Sequence, residues 1–393
     1  MELSELLYPV SEHLLDDLKD ILPHKLGKLI RYHSEFEGLP NLESSKLALI
    51  GVAEDRGSIE NKGSAAGVDK IRSRFYRLYP GNWQASCIAD LGNLRKGNSL
   101  KDTYAALQMV CEYLFKNQII PIVIGGSNDL LYPMYLGFSK LEQYVDITSA
   151  DAMLDIGTIE EAVNDTNYLS HLVLQKPYIL NNFTNIGYQT YLVSPEELQL
   201  MDKMFFDHYR LGDLKPIKKV EPLVRSADIL SFDMISIKAS DNPGHSRSQP
   251  NGFTGEEACA IMRYAGLSDK LMAVGLFGYN PAFDHHLISA SLAAEMIWYF
   301  VEGFFNRKGD YPLTSKRDFL KFTVIIEEGD YELVFYKNPK TSRWWLEVPQ
   351  IINGDTTMER NILIPCNEED YQNAVNQEIP VRWWKAYQKT IVI

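Results

Sequence analysis

Cysteine is scarce in this chain. Four occur in 393 residues, at 87, 111, 259 and 366, with no Cys-x-x-Cys pair. That spacing excludes a disulfide scaffold and a zinc knuckle, and reads as reduced, mostly buried thiols. Positive charge is also short, with 39 Lys and Arg against 52 Asp and Glu and a formal net charge of −13. With no basic surplus to neutralise phosphates, a general nucleic-acid or anionic-membrane binder is excluded. No apolar run reaches the ~18 residues of a membrane span. The best candidate, Ile288 to Phe305, is interrupted by Glu295 and Glu302. The start, Met1-Glu2-Leu3-Ser4-Glu5, lacks the basic region of a secretion signal. These absences together lead us to expect a cytoplasmic protein without nucleic acid or membrane span. No internal repeat or low-complexity segment is present.

What remains is ordinary globular material, 45% hydrophobic and 23% charged, enough to bury a large core. Leu14, Leu15, Leu18 and Leu22 lie at helical spacing before Pro23 and predict a short docking helix. Lys46–Val52, Ser86–Leu91, Ile119–Ile124, Tyr144–Ser149, Asn182–Gly187, Asp228–Met234 and Leu271–Phe277 read as strands. Between them, Val68–Leu78, Leu100–Phe115, Asp129–Ser139, Pro195–Tyr209, Gly255–Tyr264 and Leu287–Phe305 read as helices. Ser194 with Glu197, and Thr254, supply N-caps. Strands alternating with helices imply βαβ units and a mostly parallel sheet. After about Tyr311 the texture changes. Phe319–Ile326, Tyr331–Tyr336 and Trp344–Val348 read as an antiparallel meander, with turns at Glu328-Gly329-Asp330 and Asn338–Thr341. Trp383, Trp384 and Tyr387 are expected to pack the tail onto the body.

In open parallel sheets, ligands bind outside the carboxyl ends of the strands. Three predicted strand ends carry polar residues: Asn128 after Ile124-Gly125-Gly126, Asp151 and Asp155 after Ala150, and Asp233 within Leu230–Ser236. They are expected to converge on one pocket.

These segments resemble the arginase–agmatinase–formimidoylglutamase superfamily, the ureohydrolases. The resemblance runs from roughly residue 46 to 310. It is carried in order by Ile50–Gly57, Ile124-Gly125-Gly126, Asp151-Ala152-Met153-Leu154-Asp155, Ser231-Phe232-Asp233, Pro250–Ala258 and Tyr279-Asn280-Pro281. The chain looks most like the arginase-like proteins of Bacteroidota that carry the formimidoylglutamase label. The resemblance implies a three-layer α/β/α sandwich around a mostly parallel sheet. It also implies a pair of Mn²⁺ ions that activate a bridging water against a guanidinium or formimidoyl carbon. The family's ligands come from Gly-Gly-x-His, Asp-Ala-His-x-Asp and Ser-x-Asp-x-Asp. Here Asn128 stands for the first His, Met153 for the second and Ile235 for the last Asp, while Asp151, Asp155 and Asp233 are kept. One metal position keeps three carboxylates and an amide. The other loses an imidazole and a carboxylate to a thioether and an alkyl chain, neither of which holds a hard divalent ion. Gly278 replaces the Glu that the family places before Asn-Pro, and Gly157 replaces an Asn that helps arginases hold the substrate carboxylate.

Three functions follow as expectations. The first is a ureohydrolase-fold pseudoenzyme with no cofactor, acting as a binding or assembly scaffold for a protein partner or for copies of itself. The second is a hydrolase of linear amidines with one Mn²⁺ on Asp151, Asp155 and Asp233, and Asp155 or His245 as base. The third is a sensor of a cationic small molecule. Three clustered carboxylates need a cation or a proton to coexist; the sequence does not say which Lys or Arg supplies it. Other candidates carry blander readings. His285-His286 are adjacent and point to different sides. His245 is read as bonding its own loop, Ser231 as strand packing, and Glu256-Glu257 as partners of a helix dipole. Gly125-Gly126 lacks nucleotide-motif spacing. The expected organisation is an N-terminal helical extension (1–44), an arginase-like domain (45–310) and a β-rich C-terminal extension (311–393).

Overall fold

A computed structural model describes residues 3–141, 143–311, 316–326, 331–352 and 355–392. Ten strands form the main sheet: β1 (Leu7–Tyr8), β2 (Arg31–Tyr32), β3 (Leu47–Val52), β4 (Ile88–Leu94), β5 (Ile120–Gly125), β6 (Val145–Ala150), β7 (Leu180–Tyr188), β8 (Asp207–Arg210), β9 (Ile229–Asp233) and β10 (Ala273–Phe277). Their order is β1-β4-β3-β5-β10-β9-β6-β7-β8, with β2 also paired to β4. Every pairing is parallel except β1 with β4.

The central strands β3, β5, β9 and β10 are buried along their whole length. This is the pattern of a parallel sheet covered on both faces. One apolar core lies on each face. The Val68–Tyr76, Gly255–Leu267 and Ile288–Phe305 helices contribute to one, and Leu100–Lys116 to the other. The architecture is the arginase-like α/β/α sandwich.

Helix starts follow local chemistry. Ser99, Ser194 and Thr254 each accept from the amide three residues on, and the acid there returns the bond. The helix expected over Pro195–Tyr209 stops at Lys203. Phe205 turns into the left-handed region at φ 55°, and Asp207–Arg210 joins the sheet beside β7 as β8. The helical expectation for 1–44 captures Glu12–Asp17, while β1 and β2 of the same segment enter the sheet.

The C-terminal extension is a four-stranded antiparallel sheet, β11 (Leu320–Ile326), β12 (Tyr331–Lys337), β13 (Trp344–Ile352) and β14 (Asp355–Cys366), in that order. The expected turn at Glu328–Asp330 lies outside the described residues. Two helices that the sequence pattern did not announce follow, Glu368–Val375 and Val381–Val392. Trp383 is buried, donates through Nε1 to Glu347 O at 3.0 Å and stacks on Tyr387, while Trp384 stays 41% exposed. Arg225, itself buried, anchors the sheet to the body by donating to Trp344 O and Cys366 O at 3.1 Å each. Among the described residues no helix is long and apolar enough to cross a membrane.

Candidate functional site

Strands β5, β10, β9 and β6 are neighbours at the centre of the sheet. Their carboxyl ends deliver Asn128, Gly278, Asp233 and Asp151 to one place. Asp155 follows on the loop after β6, in the left-handed region at φ 52°.

Asn128, Asp151, Asp155 and Asp233 are all buried. Asn128 Nδ2 donates to Asp151 Oδ2 at 2.9 Å and to the Tyr168 hydroxyl at 3.3 Å; Asn128 Oδ1 accepts from Ser231 Oγ at 2.8 Å. The amide thus turns a donor, not a lone pair, toward the carboxylate. Asp151 Oδ1 accepts from Met153 N at 3.0 Å, and Asp233 Oδ1 from Ile235 N at 2.9 Å. Met153 and Ile235 therefore serve this site through backbone amides. Among the described residues, no three His, Cys, Asp or Glu side chains form a group that could hold a metal ion.

Electrostatics follow from that burial. Desolvation pushes the Asp151 carboxyl up to about 6, against hydrogen bonds from Met153 and Asp155 that pull it down. Asp155 rises well above the usual carboxylate range, through burial first and then the charges of Asp151 and Asp233. Asp233 rises likewise, through burial and then Asp151. Arg247 opposes these shifts, its charge favouring the ionised forms of Asp151, Asp155 and Asp233. It lies on the rim loop, paired through NH1 with Glu60 Oε2 at 2.7 Å. It is a cation that the sequence could not single out.

Gly278 takes φ 82°, and a Cβ there would stand 2.3 Å from Asp233 Oδ1. The position therefore has no room for a side chain. Gly126 is held by contact: a Cβ would meet Glu54 O at 1.9 Å, so the loop after β3 closes directly on the end of β5. Asn61 ties three loops together beside these strand ends. Its Nδ2 donates to Gly278 O at 2.7 Å, and its Oδ1 accepts from Asn280 Nδ2 at 3.0 Å and Ser246 N at 3.2 Å.

The remaining candidates fall into place around this centre. Gly157 packs against Thr166 and Asn167. His245 is buried, and its Nδ1 accepts from Arg247 N at 3.0 Å. Burial, then the Arg247 charge, takes its pKa down to about 3 and keeps the ring neutral. His285 and His286 are exposed on the turn before the Ile288–Phe305 helix, whose first amides bond Asp284. Ser231, read from sequence as packing, instead bonds Asn128. Ser231 and Tyr168 were missed as parts of this network: Ser231 lies in the Ser-Phe-Asp segment but was read there as strand packing, and Tyr168 lies in no motif.

A family model described as the arginase family matches residues 45–302. A formimidoylglutamase of Staphylococcus aureus (strain MSSA476) is 25% identical over 284 residues, covering 68% of this chain and 90% of that one. Among solved structures, Trypanosoma cruzi formiminoglutamase with Mn²⁺ superposes with a TM-score of 0.64 at 21% identity, over 72% of this chain and 99% of that one. The agmatine ureohydrolase of Thermoplasma volcanium superposes with a TM-score of 0.60 at 19% identity, over 74% of this chain and 97% of that one.

Proposed function

This chain belongs to the arginase family, and on that premise we propose that it is a ureohydrolase-fold protein without the two-manganese centre and without hydrolase chemistry. It acts as a cytoplasmic binding or assembly scaffold. The observation that carries this reading is the state of Met153 and Ile235. One metal position of the family needs an imidazole and a carboxylate there, and the chain offers a thioether, an alkyl group and two backbone amides already committed to Asp151 and Asp233. Asn128, with its amide nitrogen on Asp151, adds no ligand. The residues present do not fit a manganese pair. Gly278 supports the same conclusion from the substrate side, since no acid at that position faces a guanidinium or formimidoyl group.

What remains at the strand ends is a set of buried carboxylates whose protonated forms are favoured by desolvation and by one another's charge, with Arg247 opposing that from the loop beside them. The loops Glu54–Gly67 and Asp241–Gly252 are cross-bonded through Asn61, so the scaffold is kept rigid where the family works its chemistry.

The test is metal content by plasma mass spectrometry after dialysis of the full chain against Mn²⁺, run beside hydrolysis assays on formimidoylglutamate, arginine and agmatine. No retained metal and no hydrolysis are expected. About two ions per chain, as a bridged hydroxide requires, or turnover that depends on added metal, overturns the proposal.

A further inference from the structure

Among the described residues, the sheet of the C-terminal extension ends in an edge strand, β11, which pairs with β12 and has no strand on its outer side. That pairing runs from Leu320 opposite Lys337 to Ile326 opposite Tyr331 without a bulge. Edge strands are ordinarily guarded by shortness, proline, bulges or charge, because their open N–H and C=O groups template further pairing. This edge has seven residues, Leu-Lys-Phe-Thr-Val-Ile-Ile, with no proline and one charge. Phe322 and Val324 turn toward the extension's core and are partly buried. Leu320 and Ile325 are 51% and 61% exposed. Gln377 Nε2 reaches Ile325 O at 3.3 Å near one end.

We infer that β11 is a docking edge for a second copy of this chain. Two β11 strands pair antiparallel about a two-fold axis at Thr323 and join the two extension sheets into one. The occupant follows from self-complementarity. In that register Leu320 stands opposite Ile326, Lys321 opposite Ile325, Phe322 opposite Val324, and Thr323 opposite its symmetry mate. Directly opposed residues share a face. Phe322 and Val324 of both copies therefore fall on the core side and complete each other's cover. On the outer side the Lys321 stem lies along Ile325 while its ammonium stays in water. No like charges are opposed, and a Thr–Thr pair at the axis is favourable. A two-fold contact uses the same patch on both copies and closes at two. This inference stands apart from the reading of the pocket, and either can fail alone.

The test is sedimentation velocity of the full chain over a roughly hundredfold range of concentration, because a dimer is governed by mass action. Wild type is compared with Thr323→Lys and Thr323→Glu. Thr323 is exposed and faces away from the core, so each variant keeps its fold, checked by an unchanged circular dichroism spectrum. Each variant is expected to sediment at half the wild-type mass, because identical charges now meet across the axis. An equimolar mixture of the two is expected to regain the wild-type mass through Lys–Glu pairing. A wild-type mass that Thr323→Lys leaves unchanged overturns the proposal; that is the result if the edge stays bare or takes an extended peptide from another protein. A mixture that stays dissociated overturns it too.

Discussion

Asp155 holds a buried carboxyl beside two others in a left-handed backbone, φ 52°, that Asn adopts as readily as Asp. Its raised pKa and that of Asp151 set a direction for stability against pH. An acid whose pKa is higher folded than unfolded binds its proton more tightly in the native state. Its contribution is complete below the unfolded value near 3.9 and is lost as pH rises through the folded value. For Asp151 that window runs from roughly pH 4 to the folded value of about 6; Asp155 and Asp233 carry it higher. Asp155→Asn mimics the protonated form permanently. It is expected to flatten the decline in urea-unfolding free energy above pH 4 and to raise stability at pH 7; a variant less stable than wild type at pH 7 contradicts this. Gly278→Glu, which would restore the family's residue, meets Asp233 and a left-handed backbone. It is expected to cost about 2–4 kcal/mol and to add no hydrolysis, read as a lowered melting temperature beside a silent assay. Asn128, Met153, Ile235 and Gly278 could be singled out from the letters because the motifs of the resemblance index those positions; that they mark lost ligands is our proposal. Arg247, Tyr168 and Ser231 could not be singled out. Their roles depend on which elements the fold brings together at the strand ends, and a lone Arg in a loop, Tyr at a helix start or Ser within a strand announces nothing.

At the scale of elements, the strands of the α/β body were legible because apolar runs of strand length alternate with capped amphipathic helices. The failures have physical causes. β8 is a half-exposed edge strand whose four residues, Asp-His-Tyr-Arg, carry no apolar period. It was absorbed into the preceding helix, whose end depends on Phe205 adopting φ 55°. β14 and the two last helices lie where no family motif guides the reading. The extension's attachment was also invisible, since Arg225 at the end of a short helix looks like any surface cation. In the fold it is buried between Glu221 Oε1 at 2.9 Å, the carbonyls of β13 and β14, and the Trp345 ring at 4.4 Å. Arg225→Met keeps most of the volume but strips two carbonyls of this donor and leaves Glu221 with Arg343 alone of its two arginine partners. A loss of about 3–5 kcal/mol is expected, with cleavage in limited proteolysis appearing first within 316–392. Arg225→Lys is expected to recover little of it, because a point charge cannot replace a planar fork. A variant that melts and digests like wild type removes Arg225 from this role.

The whole molecule raises the question of whether its three regions, which we propose to divide near 45 and 310, fold as one unit. β1 and β2 complete the sheet beside β4, so the N-terminal region shares the body's hydrogen bonds. The C-terminal region shares its charges. Arg343 reaches Glu221 at 3.1 Å and Asp310 at 2.9 Å, Lys385 pairs with Asp207 at 3.4 Å, and Lys389 donates to Asn182. These contacts spread from the short helix holding Arg225 to the β7–β8 edge, so the extension is fastened at both ends. Sequence texture suggested an appended meander; the buried Arg225 and the ion pairs argue for a cooperative part. Removing residues 311–393 would expose the Arg225 guanidinium and leave Glu221 with fewer partners, a cost that the body has nothing to offset. A single calorimetric transition is therefore expected for the full chain, with equal van't Hoff and calorimetric enthalpies, and the 1–310 fragment is expected to melt well below it. Two separated transitions, or a fragment as stable as the whole, would mean that the extension is an independent domain and that its contacts with the body are incidental to folding.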